Sequence, residues 1–362
     1  MVKLKYWLTI CLFCGLLASL AVTGFATEDG DISAAERRPL AQVPEFSLED
    51  LLSGDYMTSW ETYLLDQFPL RDQFRALNGY IRLNLLGQKD IGGVYVQDGH
   101  AFSMEYPLKE NQVAYGVDKI NQVIETYLVD NAVYFAIVPD KNYFAGEDYL
   151  KLDYATMESM MAGINGTYLN IFDLQTLDDY YQTDAHWKQE AIFPTAAALA
   201  DGMGLGATLI PDSGFTSETL AGFEGVYWGQ SPVPLEQDDL TYVTSDAILA
   251  ATMTGVEFDG IVGLYAPEKF HGVDGYDVYM EGAQAIVTVE SPNAKTDKEL
   301  IIFRDSFGSS LAPYFAEGYS KITLVDLRYV ATSYLGQFVD FADQDVLFLY
   351  SSSVLNSAML LK

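Results

Sequence analysis

Three short aliphatic runs in the last third of the chain, at 300–303, 322–325 and 346–349, are each followed by a stretch of helical spacing, at 309–316, 332–341 and 354–361. Runs this short and unbroken suit strands buried on both faces. Parallel neighbours can be joined only by crossovers over a sheet face, so the pattern predicts a parallel sheet covered by helices. The same alternation extends upstream. Helices are expected at 55–66 and 70–86, separated by Pro69, and Asp98-Gly99 is a hairpin turn between 94–96 and 101–103. Val113, Val117, Ile120, Ile124 and Tyr127 share one helical face, and 132–138 reads as a buried strand opening into Pro139-Asp140-Lys141. A helix at 154–162, a strand at 168–172 and a helix at 187–203, bent or begun at Pro194, continue the order. Residues 204–298 are rich in Gly, Asp, Thr and Pro, with a candidate strand at 285–290, and read as an insertion or β-rich elaboration.

The N-terminus carries a targeting pattern. Lys3 and Lys5 precede an almost unbroken apolar run at 7–22, and Gly24-Phe25-Ala26 offers small residues before a cut. Residues 1–26 read as a signal peptide or, being about long enough to span a bilayer, an uncleaved anchor. Either places residue 27 onward outside the cytoplasm, secreted or held at the outer face of the membrane. Polar residues 27–45 read as a linker, leaving 46–362 as the domain. The two cysteines, Cys11 and Cys14, fall inside the apolar run, where thiols suit neither redox work nor zinc. Ile10 and Phe13 occupy the place where a lipobox needs a small residue.

A net charge of −31 repels nucleic acid and anionic lipid, so membrane contact is expected through the N-terminal segment only. The three histidines, His100, His186 and His271, lack metal-ligand spacing, and neither metal nor cofactor is expected.

Ligands of open parallel sheets sit beyond the carboxyl ends of strands. Ser306 stands at such an end, after the run at 300–303 and before a helix, where backbone N–H groups are free to receive an oxyanion. Its hydroxyl needs a base. His100 follows a turn and reads as an exposed hairpin residue, and His271 reads as a structural loop residue. His186 has Asp184 two residues away, able to orient an imidazole. On spacing alone, a base with its orienting acid and a helix cap with an incidental histidine fit equally.

Thr183-Asp184-Ala185-His186-Trp187 resembles the motif that names the bacterial DHHW family, and 303–329, FRDSFGSSLAPYFAEGYSKITLVDLRY, is similar to that family's C-terminal block. Asp66-Gln67-Phe68-Pro69 with Arg71, and Val138-Pro139-Asp140-Lys141, are also similar. The resemblance covers most of 55–362 and extends to the AlgX/AlgJ-type domains of alginate O-acetylation. It implies an α/β, SGNH-hydrolase-like (flavodoxin-like) three-layer fold with a parallel central sheet, circularly permuted, so that Asp-x-His precedes the serine. It further implies Ser306 as nucleophile, His186 as base and Asp184 as its orienting acid. Arg328 matches a basic position near that site, though a surface ion pair fits it too. Lys141, Trp187 and Asn356 are candidate auxiliary or substrate-binding residues; for Asn356 the alternative is a helix-surface amide. Ala185 replaces the motif's first histidine. The implied activity is a serine acyltransferase or esterase acting on acetyl groups of a polysaccharide or acylated glycan, with a membrane-bound O-acyltransferase as partner. The alternative is a non-catalytic polysaccharide-binding or assembly protein that has kept the fold.

Overall fold

The computed structural model describes residues 2–33, 38–206, 214–230, 235–272 and 274–362. The chain divides into two compact units, Met1–Gly92 with Gly229–Pro234, and Gly93–Trp228 with Leu235–Lys362. In the first, α1 (Val2–Ala26) is apolar and long enough to cross a membrane over Leu4–Gly24. It is followed by a small pair of strands, β1 (Ile32–Ser33) and β2 (Arg38–Pro39), and three helices, α2 (Leu48–Ser53), α3 (Asp55–Asp66) and α4 (Arg71–Tyr80). Pro69 separates α3 from α4, as its missing N–H requires. The segment 27–45, expected as a linker, is tied to the end of α3. Arg38 grips Asp66 with two bonds of 2.7 and 2.6 Å, and the Gly30 N–H donates to Gln67 Oε1 at 2.9 Å. Residues 46–92, which the sequence groups with the sheet domain, lie in this first unit.

The second unit opens with the hairpin β3 (Val94–Gln97) and β4 (His100–Ser103), turned at Asp98 and Gly99 with φ of 51° and 79°. His100, expected to be exposed, is buried, because its strand lies against the 181–184 segment, the Ala101 N–H donating to the Gln182 carbonyl at 2.8 Å. Then come α5 (Glu110–Tyr127), β5 (Val133–Val138), α6 (Tyr154–Met161), β6 (Thr167–Tyr168) and α7 (Phe193–Gly202). The middle section supplies β7 (Thr216–Phe223), β8 (Asp238–Thr244), α8 (Asp246–Ala250), β9 (Thr252–Gly255) and β10 (Ile286–Glu290). The chain ends with β11 (Glu299–Arg304), α9 (Phe307–Phe315), β12 (Lys321–Val325), β13 (Asp345–Ser351) and α10 (Ser352–Leu355).

Seven strands form one sheet in the order β6-β5-β13-β11-β12-β10-β9. The pairs from β6 to β12 are parallel, and β10 and β9 add an antiparallel edge. Successive side chains of a strand point to opposite faces, and both faces here are packed. Leu300, Ile302 and Leu347 meet Leu199 of α7 and Leu311 of α9. Ile301, Phe303 and Phe348 meet Ile120 of α5, Met157 of α6 and Leu355 of α10. The three-layer α/β architecture with a parallel centre is therefore the one expected.

The differences are local. The expected insertion at 204–298 in part extends the main sheet, since Val287 and Val289 of β10 are apolar enough to enter its core; β7 and β8 pair separately. The crossover after β12 forms a 3-10 helix, Thr332–Gln337, rather than a longer α-helix. Thr, Ser, Tyr and Gly there are poor helix formers. Gln189–Ala191 is likewise a 3-10 turn, and α7 begins with Pro194 in its first turn.

Ile302 is fully buried on the central strand β11. Ile302→Ala should cost about 2–5 kcal/mol in urea unfolding, because the packed layers on either side cannot collapse into the void.

Candidate active site

Ser306 is the second residue after β11 and the first before α9, so its position is set by two buried elements. The turn is tied by the buried carboxylate of Asp305. It accepts the Phe307 N–H at 3.0 Å and, from the end of β13, the Ser351 N–H at 2.7 Å. Gly308 is needed for close approach: a Cβ there would stand 2.7 Å from that of Arg304. The Ser306 hydroxyl lies 2.7 Å from His186 Nε2, and His186 Nδ1 lies 2.6 Å from Asp184 Oδ1. The three residues expected to act together are together. With Nδ1–H donated to Asp184, Nε2 is the acceptor for the serine proton.

Asp184 is 1% exposed. Its oxygens take the His186 ring, the His186 N–H at 3.0 Å and the Val226 N–H at 2.6 Å. Burial pushes this carboxyl up, but the His186 charge and ring bond, with the Val226 and His186 amides, hold it well below the usual carboxylate range. The Val226 contact depends on Gly225, where a Cβ would fall 2.4 Å from that of Asp184. Tyr276 stacks on His186, centroids 3.9 Å apart, and anchors its hydroxyl on Ser310 Oγ at 2.8 Å. The imidazole is thus fixed by its ring face as well as by its edges.

The triad opens on a cavity of ≈ 300 Å³ whose walls include Ser103, Glu105, Lys141, Tyr227, Asp274 and Ser353. Ala185 lines it too, so the missing motif histidine would have stood at its wall. Burial raises the Glu105 carboxyl from its ordinary value, and burial pushes the Lys141 ammonium down to about 7. Among the described residues no group of three His, Cys, Asp or Glu side chains could hold a metal.

The other expected residues have different positions. Trp187 is fully buried and donates to Ser310 Oγ at 2.8 Å, so its face is not open to a sugar. Asn356 is buried outside the cavity wall, accepting the Lys109 N–H at 2.7 Å and donating to the Pro107 carbonyl at 3.2 Å. Arg328 forms a paired contact with Asp326, at 2.9 and 2.6 Å, and is not among the cavity-lining residues. His271 is an exposed loop residue against Phe270. Sequence reasoning did not find Gly225, Val226, Asp238 or Tyr276, which reach the site from the middle section without any local motif.

No protein-family model matches the sequence, and no curated protein matches it. Solved structures share its fold. A DHHW family protein from Eubacterium siraeum is 22% identical with a TM-score of 0.59, over 75% of this chain and 95% of its own. PatB1 of Bacillus cereus, solved with a sulfonyl adduct, is 17% identical with a TM-score of 0.58, over 74% of this chain and 97% of its own. The O-acetyltransferase domain of Pseudomonas putida AlgJ overlays more loosely, 12% identical with a TM-score of 0.43 over 73% and 92%. The fold is thus that of a DHHW family protein, as the motif resemblance implied.

Because the folded Asp184 carboxyl sits below its ordinary value, the unfolded chain takes up the proton first as pH falls. The stabilisation is present above about pH 4 and lost below it. Denaturant titrations of wild type and Asp184→Asn should therefore differ most near neutrality and converge in acid.

Proposed function

We propose that the protein is an extracytoplasmic serine acyltransferase or esterase acting on acetyl groups of a cell-surface or secreted polysaccharide. The observation that carries this reading is the relay Asp184–His186–Ser306, joined by bonds of 2.6 and 2.7 Å and opening on one cavity. Ser306 Oγ attacks the acyl carbonyl while its proton passes to His186 Nε2, and Asp184 stabilises the imidazolium through Nδ1–H. The Ser306 N–H has no hydrogen-bond partner among the described residues and is free to receive the oxyanion. Collapse breaks the bond to the donor's alkoxy oxygen, which takes the proton from His186 and departs as the alcohol, leaving an acyl-serine. An acceptor hydroxyl, of a sugar or of water, then gives its proton to His186 and attacks the acyl carbon, restoring Ser306.

The hydroxyls of Ser103, Ser353 and Tyr227 on the cavity wall suit a polyol acceptor. The apolar helix over Leu4–Gly24 fits export or anchoring, and at the membrane's outer face a membrane-bound O-acyltransferase would be the acyl source. That PatB1 carries a sulfonyl adduct recommends the same reagent class here, since sulfonyl fluorides capture activated hydroxyls.

Intact-mass spectrometry of the purified chain after treatment with a sulfonyl fluoride or an activated acetyl ester should show one adduct, mapped to Ser306. Ser306→Ala should give none while unfolding at the same temperature, and His186→Ala should label more slowly by a factor on the order of 10²–10⁴. A folded wild-type chain that takes no label would instead support the polysaccharide-binding reading.

A further inference from the structure

Lys141, the one lysine or arginine among the described residues that line the cavity, is 3% exposed, and its three N–H bonds are all in use. Nζ donates to the carbonyl oxygens of Tyr181 at 2.7 Å, Gln182 at 3.2 Å and Asp184 at 3.0 Å. The rings of Phe102 and Tyr227 stand 5.4 and 5.6 Å from the same nitrogen. Nothing of the ammonium is left for a substrate carboxylate or phosphate.

What it grips is the segment that delivers the base. Three carbonyl dipoles aimed at one point repel one another unless a cation lies between them, and although the Gln182 carbonyl also accepts the Ala101 N–H at 2.8 Å, buried carbonyls such as those of Tyr181 and Asp184 are costly to leave without a partner. The other side of the same segment is held by an anion: Asp238 accepts the Gln182 and Thr183 amides, both at 2.8 Å, and the Thr183 hydroxyl at 2.6 Å. The loop is clasped by a cation on its acceptors and a carboxylate on its donors. We propose that Lys141 is a positioning residue that sets the 181–184 backbone so that Asp184 and His186 meet Ser306, and that it does not bind substrate. The proposal rests on the catalytic reading of the triad.

A consequence follows for pH. Burial lowers the Lys141 ammonium to about 7, opposed by Asp184 and Asp238 and assisted by Lys188; His100 also feels its charge. A neutral amine has two N–H bonds for three carbonyls and turns a lone pair toward the third. Acylation should therefore slow as pH rises through that range.

The test compares labelling by an activated acetyl ester in wild type and Lys141→Met between about pH 6 and 9. The variant should lose on the order of ten- to a hundredfold in kcat with KM little changed, as expected of a misplaced base, and should show no further alkaline decline. A raised KM with kcat intact would mean substrate binding, and an unaltered rate and pH profile would mean no role; either overturns the proposal. Should Lys141→Met not fold, side-chain NMR of labelled lysine in the unmutated protein decides. Lys141 should titrate with the midpoint of the rate's decline, and a Lys141 that stays charged throughout that decline overturns it. Wild type that acquires no label on Ser306 overturns the catalytic reading and this proposal with it, whereas labelled wild type with an indifferent variant overturns this proposal alone.

Discussion

The carboxylate of Asp184 is buried, and a buried charge persists only if it is paired and hydrogen-bonded. That requirement organises the surroundings of the Asp184–His186–Ser306 cluster. Satisfying one oxygen takes the His186 ring and amide; satisfying the other takes the Val226 amide, brought in by a glycine that can approach where no Cβ would fit. The segment that presents Asp184 has its own buried amides and carbonyls, which Asp238 and Lys141 take up. Each layer of partners answers the unsatisfied groups of the layer inside it. The result is an imidazole whose edges and face are all fixed before any substrate arrives, the condition under which a positioned base is effective.

Much of the sheet was legible because strands buried on both faces leave short, nearly continuous apolar runs, and 300–303, 322–325 and 346–349, with Thr323 their one polar residue, are such runs. The place of Ser306 was legible for the same reason: it stands just past the end of one of those runs. His186 and Asp184 are two residues apart, so their pairing is local. The geometry that joins them to Ser306 is not, and neither spacing nor composition could distinguish it from a helix cap; there the motif resemblance made the difference. The crossover at 332–341 has helical apolar spacing but takes a 3-10 form over Thr332–Gln337, because Thr332, Ser333, Tyr334 and Gly336 are weak helix formers.

The missed residues share a physical character. Val226 reaches Asp184 across 42 positions and Asp238 reaches Thr183 across 55. Both make bonds to main-chain groups or through their own, and such bonds place little demand on side-chain identity at the receiving end. Gly225 sits in a section already rich in Gly, so its special role has no compositional mark. Arg328, which the resemblance puts near the site, is held locally by the carboxylate of Asp326 two residues away, a paired charge-assisted contact with a strong claim on a guanidinium.

The two halves of the site are built to different standards of rigidity. Ser306 is held by strand, helix and the Asp305 carboxylate, with α9 buried along its whole length. Its position follows from the core, so any sequence that folds this sheet supplies it. His186 is carried by irregular chain between a 3-10 turn at Leu177–Asp179 and another at Gln189–Ala191, where a single bridge, Tyr180 to Trp187, and a few main-chain bonds replace a regular ladder, and Asp238 and Lys141 take up groups that remain. Irregular backbone at this depth must be satisfied by side chains, and side chains lose a contact to a single substitution. Variation that spares the fold but abolishes chemistry should therefore concentrate on the clasp around 181–186, at Asp238, Gly225 and Lys141, more than around the serine itself.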